Sequence, residues 1–190
     1  MRSLVVLALA IVVAACGGTT SPAAKTATAT SAPAADLASL LVADNVLPGF
    51  KRTGAEPVEQ DSADAWAKTN QEPDATQLKA LDFVAGARQD LVGPPGAYAL
   101  NLVERFATPE EAQERLSATV SDLSNTKAQF SVPGVPGAVG FESGSGAKRG
   151  RSVAFSKGET VFLLSHQVAK RTPSVAQLKA AVREWYAAIP

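Results

Sequence analysis

The chain has 190 residues, with 18 Lys and Arg against 18 Asp and Glu, a formal net charge of +0, one cysteine and one histidine. That balance excludes a dedicated nucleic-acid binder, which needs a cationic excess to displace counterions from phosphates. One cysteine excludes a disulfide framework, and one histidine outside any Cys/His spacing leaves no ordinary zinc pattern, so neither a metal nor a cofactor is expected.

Met1, Arg2 and Ser3 form a short positive leader, residues 4–13 an unbroken apolar run, and Ala14 and Ala15 a small-residue pair ahead of Cys16, the layout of an export signal. With its alanines the run is about a dozen residues long, well short of the roughly 20 a membrane-spanning helix needs. Val13-Ala14-Ala15-Cys16 resembles the lipobox of bacterial lipoproteins. That resemblance implies thioether acylation of the Cys16 thiol, whose thiolate is the competent nucleophile, and removal of residues 1–15. Two or more acyl chains anchor a protein stably, so the expected location is the outer surface of a cell membrane.

Residues 17–35, GGTTSPAAKTATATSAPAA, carry no apolar periodicity and read as a tether. As a flexible coil it spans roughly 22 to 26 Å, which keeps the domain near the lipid headgroups. Residues 36–190 are enough for one domain that holds a core without disulfides.

Asp36 is placed to cap a short helix with Leu37, Leu40 and Leu41 on one face, ended by the turn signals of residues 45–49. A weak strand follows over 50–58. Residues 59–72 are polar with Trp66 as the large anchor, and Asp74 and Gln77 have capping-box spacing for a helix over 75–81. Residues 83–92 and 97–106 read as two strands joined at Gly93-Pro94-Pro95-Gly96. Tyr98, Leu100, Leu102 and Phe106 share one face of the second strand. Glu104 breaks that alternation and marks either a bulge or a buried functional carboxylate.

Thr108-Pro109-Glu110-Glu111 is the clearest helix start: Thr as cap, Pro at the first helical position and Glu closing a capping box. Ala112, Leu116, Val120 and Leu123 continue it as an apolar stripe. A strand over 138–143 enters a glycine-rich turn over 144–150, and strands over 151–156 and 160–168 form a hairpin around Lys157-Gly158. Val161 and Leu163 face one way and Phe162, Leu164 and Val168 the other, which predicts a central strand covered on both sides. Thr172-Pro173 reads as the cap and first residue of the last helix, whose stripe is Val175, Leu178, Val182, Trp185 and Ile189. The tryptophan in that stripe is expected to be core.

Groups that catalyse are scarce. His166 lies beside Ser165 in a strand, where neighbours point to opposite faces, so the two cannot form a nucleophile and base pair locally. A carboxylate-pair hydrolase needs two acids brought together from a distance. Lys148 follows alanine and Arg149 stands where a phosphate-binding loop needs Ser or Thr, leaving Lys148, Arg149 and Arg151 as a candidate anion-binding trio for lipid headgroups or wall polymers.

The chain resembles the surface lipoproteins of high-GC Gram-positive bacteria in VAAC, the Thr/Ala/Pro tether, LLVADNVLPGF, LVERFATPEEAQERL and VPGVPGAVGF. The order of elements is also similar to small domains of the PsbP/Mog1 type, an antiparallel sheet flanked by helices, which implies a binding or scaffolding role. The expected fold is α+β, one mostly antiparallel sheet of about six strands with the Thr108 and Thr172 helices packed on it. The expected function is a lipid-anchored, non-catalytic surface domain that binds a protein, a wall polymer or a small apolar ligand. The alternative is a surface hydrolase built on His166 or paired carboxylates.

Overall fold

The computed structural model describes residues 36–43, 46–54, 56–72, 75–123, 129–143, 148–169 and 173–190. Cys16, the tether over 17–35, Asp74, residues 144–147 and Thr172 lie outside the described residues.

The fold is α+β. The strands are β1 (Lys51–Arg52), β2 (Val58–Gln60), β3 (Phe83–Val92), β4 (Ala97–Phe106), β5 (Phe130–Ser131), β6 (Val139–Ser143), β7 (Lys148–Lys157) and β8 (Thr160–Ala169). They form one sheet in the order β1-β3-β4-β8-β7-β6-β5, with β2 also pairing with β3, and every pairing is antiparallel. The helices among the described residues are α1 (Ala63–Asn70), α2 (Thr76–Ala80), α3 (Pro109–Leu123) and α4 (Val175–Ala188), preceded by a 3-10 segment, Leu37–Leu40. The sheet therefore has more strands than the six expected. The weak strand expected over 50–58 is divided into two short ones, β1 and β2, and β5 is added; each is two or three residues long and too short for a period to show.

The β3–β4 hairpin turns where Gly93-Pro94-Pro95-Gly96 dictates, with Gly93 N–H on the Ala97 carbonyl at 3.1 Å and Gly96 at φ 80°. Position 158 likewise needs the left-handed region, at φ 57°, to close β7 onto β8. β8 sits mid-sheet, and alternation along it separates two cores.

The first face carries Ala87, Leu91, Ala99, Val103, Phe162, Leu164, Val153 and Phe155, and is covered by α4 and by residues of the 37–50 segment. Trp185 is buried there against Phe155 and Phe162, and its indole nitrogen donates to the Leu40 carbonyl at 2.7 Å. The second face carries Leu102, Phe106, Val161, Ala154 and Phe141, covered by α1, α2 and α3.

The start of α3 is a reciprocal capping box: Thr108 N–H donates to Glu111 Oε2 at 2.8 Å, and Glu111 N–H to Thr108 Oγ1 at 3.3 Å. At α4 the expected cap is corrected. The helix begins at Val175 and Ser174 is its cap, receiving Gln177 N–H at 3.4 Å, so Pro173 precedes the helix. The Pro173 carbonyl is used instead by the Arg151 guanidinium, a tertiary contact no local signal encodes.

Candidate functional site

The second-face core holds a charge cluster centred on Glu104. β4 pairs with β8 without interruption through Glu104, so this residue marks no bulge on its own strand. The irregularity lies on β3 between Phe83 and Ala85. Glu104 is instead a buried carboxylate, 2% exposed.

Gly86 lies opposite Glu104 on β3, and its bare backbone admits the indole of Trp66, which a Cβ there would meet at 2.5 Å. Trp66 Nε1 donates to Glu104 Oε1 at 2.7 Å. From α3, Arg115 donates Nε to Glu104 Oε2 at 2.8 Å and Nη2 to Oε1 at 2.9 Å, the fork geometry that guanidinium and carboxylate share. The same guanidinium reaches Glu72 Oε1 at 2.7 Å and Gln77 Oε1 at 2.9 Å. Burial pulls the Arg115 pKa down, but the hydrogen bonds and charge of Glu104, then of Glu72, outweigh it and hold the pKa above its ordinary value. Two acids thus share one fixed cation, which ties β4, α2 and α3 together.

A second cluster pins α1 to β3. Arg88 donates to Asp90 Oδ1 through Nε at 3.2 Å and Nη2 at 3.1 Å, and through Nη1 to the Thr69 carbonyl at 3.1 Å and Asn70 Oδ1 at 3.2 Å. Tyr98 donates its hydroxyl to the same Asp90 oxygen at 2.6 Å. Burial, then the hydrogen bond and charge of Asp90, raise the Tyr98 pKa above 10.0, with Arg88 opposing.

The candidate anion-binding trio lies in a strand rather than a flexible turn, because β7 already begins at Lys148. Arg149 is exposed. Arg151 is committed inward: its Nε donates to Glu142 Oε1 at 3.0 Å, and its terminal nitrogens bond Glu142 and the Pro173 carbonyl. Of Lys148 only the backbone is described.

His166 is buried on the first face, edge-on to Phe50 with ring centroids 4.8 Å apart. Ser165 faces the other way and accepts from the Ser152 hydroxyl at 2.9 Å, so strand alternation separates the pair as expected.

One feature of the first face escaped the reading of the sequence. Gln89 and Asn101 stand opposite each other on β3 and β4, and both point into the apolar core. The signal was present, since Ala87, Gln89 and Leu91, and Ala99, Asn101 and Val103, occupy alternate positions that share a face.

At the surface, a cleft of about 370 Å³ is lined by Asp36, Glu59, Asp61, Ala85 and Arg105, and a more apolar groove of about 280 Å³ runs between Leu40, Leu41, Val46 and Trp185, Ile189. Val58, Val84 and Val92 are exposed on β2 and β3. No helix among the described residues is long and apolar enough to cross a membrane.

No protein-family model matches the chain, and no curated protein matches it. Among solved structures, the fold is similar to that of the extracellular domain of PknH from Mycobacterium tuberculosis, with a TM-score of 0.49 and 12% identity over 72% of this chain and 84% of that one.

Proposed function

We propose that this protein is a lipid-anchored, outward-facing domain of the cell surface that works by binding rather than by catalysis. The observation that carries the proposal is the placement of Val13-Ala14-Ala15-Cys16 at the end of an apolar run too short to span a bilayer, followed directly by a polar tether. The acylated Cys16 holds the chain on the membrane, and the tether presents the domain a short distance above it. Lipobox chemistry makes the chain a surface lipoprotein of the kind it resembles in sequence.

The non-catalytic part is supported by how the buried acids are used. Glu104 accepts hydrogen bonds from Trp66 and Arg115 on its two oxygens, and Glu72 shares that guanidinium, a geometry that fixes charge instead of offering a poised general base. His166 and Ser165 point to opposite faces of β8.

The experiment is metabolic labelling with an alkyne fatty acid, together with detergent-phase partitioning of the full chain and of Cys16→Ala. The wild type is expected in the detergent phase with label, and the variant in the aqueous phase without it. An unlabelled wild type, or a Cys16→Ala protein that still carries label, refutes the anchor.

A further inference from the structure

The surface cleft at the start of β3 holds charges of both signs that do not meet. Arg105 on β4 stands opposite Ala85 on β3, and Glu59 on β2 stands opposite Ala87, so Arg105, Ala85 and Glu59 share the first face. With Asp36 and Asp61 they line an open space of about 370 Å³, within the range of small-ligand sites. Arg105 is half-buried, yet its guanidinium makes no hydrogen bond or ion pair among the described residues. A guanidinium presents five N–H donors in a fixed fork that matches a carboxylate. Arg88, Arg115 and Arg151 each spend theirs on a carboxylate of the protein.

The acids of the cleft do not reach it. The Ala38 N–H donates to Asp36 Oδ1 at 3.0 Å and to Glu59 Oε1 at 2.8 Å, so one amide draws two carboxylates to the same spot. Among the described residues no Lys or Arg pairs with Asp36, Glu59 or Asp61. Two strand spacings, roughly 10 Å, separate the backbones of β2 and β4. What lies between is apolar: Ala85 on β3, with Leu37 and Val84 beside it. Asp36, Glu59, Asp61 and Val84 are exposed, so the cleft is open as it stands and entry breaks no bond. It offers an anion site and a cation site with an apolar strip between them.

We infer that this cleft binds a linear molecule with a carboxylate at one end, an ammonium at the other and methylenes between, the pattern of a lysine whose α-carboxylate is free. The carboxylate takes the Arg105 fork, the methylenes lie on Ala85 and Val84, and the ammonium stands among Asp36, Glu59 and Asp61. Both charges are needed. A bare anion is repelled by three carboxylates, and a bare amine leaves the guanidinium unused. An α-zwitterion alone is too short to bridge two strand spacings, whereas the four-carbon stem of lysine supplies the reach.

This inference rests on the binding reading above but not on the anchor, so the Cys16 labelling result leaves it standing or falling by itself. The test is equilibrium dialysis of radiolabelled ε-aminocaproate against the full chain in mild non-ionic detergent, for wild type, Arg105→Met and Asp61→Asn. Wild type is expected to bind saturably and each variant at least tenfold more weakly. Hexylamine and hexanoate, which keep one charge each, are expected to compete at least tenfold less well than unlabelled ε-aminocaproate. Free lysine and N-acetyl-alanyl-lysine both keep the pattern, and the stronger competitor names a free amino acid or a peptide end as the source. No saturable binding by wild type, equal binding by wild type and the folded variants, equal competition by hexylamine, or competition by neither lysine compound overturns the inference. Circular dichroism shows which variants are folded. Asp61, exposed and without a hydrogen bond or ion pair among the described residues, is the position whose change disturbs the fold least.

Discussion

Replacing Arg115 by methionine keeps most of the alkyl stem and removes the charge that Glu104 and Glu72 share. In the native chain the Arg115 side chain is 11% exposed and that of Glu104 3%, so the Nε contact at 2.8 Å works far from bulk solvent. Glu72, at 23%, is partly screened by water and adds the lesser share. Removing one partner of a buried pair strands the other, at about 3–5 kcal/mol. Against a stability of about 5–15 kcal/mol for an ordinary domain, that is a large fraction of the whole. Trp66 Nε1 still donates to Glu104 at 2.7 Å but brings no charge. With a urea m-value of about 2 kcal/mol/M, Arg115→Met should lower the unfolding midpoint by about 1.5–2.5 M without altering m. Adding Glu104→Gln removes the stranded charge and should recover about half of the loss. The assay is urea titration followed by tryptophan fluorescence and far-UV circular dichroism. A drop below about 0.5 M, or a double variant less stable than Arg115→Met alone, refutes the view that the guanidinium holds Glu104 in the core.

Gly86→Ala should cost about 1–3 kcal/mol, because the new Cβ meets a fully buried indole whose nitrogen is already bonded to Glu104. Calorimetry should show a lowered midpoint, and near-UV circular dichroism a disturbed Trp66; an unchanged midpoint shows that the ring has room to move. Tyr98 should ionise above the ordinary tyrosine value, since burial and then Asp90 favour its neutral form. A raised folded pKa means the folded state holds the proton longer, so the stabilisation is fully present below pH 10 and is lost as pH rises through the folded value. Absorbance titration at alkaline pH should show one late-ionising tyrosine that disappears in Tyr98→Phe, and an unchanged curve in that variant refutes the assignment.

Elements with local signals were legible in the sequence, and contacts made across the fold were not. β3 and β4 match their expected bounds of 83–92 and 97–106 because alternation and the Gly-Pro-Pro-Gly turn act within a few residues. The Thr108 and Glu111 capping box is local in the same sense. Thr172-Pro173 carried the same local signature, yet Ser174 caps the helix, and Arg151, 22 residues earlier, takes the Pro173 carbonyl. Glu104 was visible as a carboxylate in an apolar register. Choosing between bulge and buried charge needed Arg115 on another element, Trp66 on a third and the absence of a side chain at Gly86 on the facing strand. Arg151 was legible only as one of three clustered cations, and the contact with Glu142 on β6 is what shows that its charge is spent inside the fold.

The two faces of the sheet treat polar groups in opposite ways, and this separates what stabilises the fold from what is left over for function. On the second face the Glu104 charge meets its complement, a guanidinium and an indole that bond its two oxygens. On the first face, Gln89 and Asn101 present three side-chain polar atoms that meet no hydrogen-bond partner among the described residues. An aliphatic residue at position 101 would lose no hydrogen bond found among the described residues, whereas one at position 89 would lose the bond to the Asp90 carbonyl. Groups that cost the folded state and gain nothing from it are where a binding function is to be sought. The charge cluster is therefore the part of the core that stability explains, and the amide row the part that it does not.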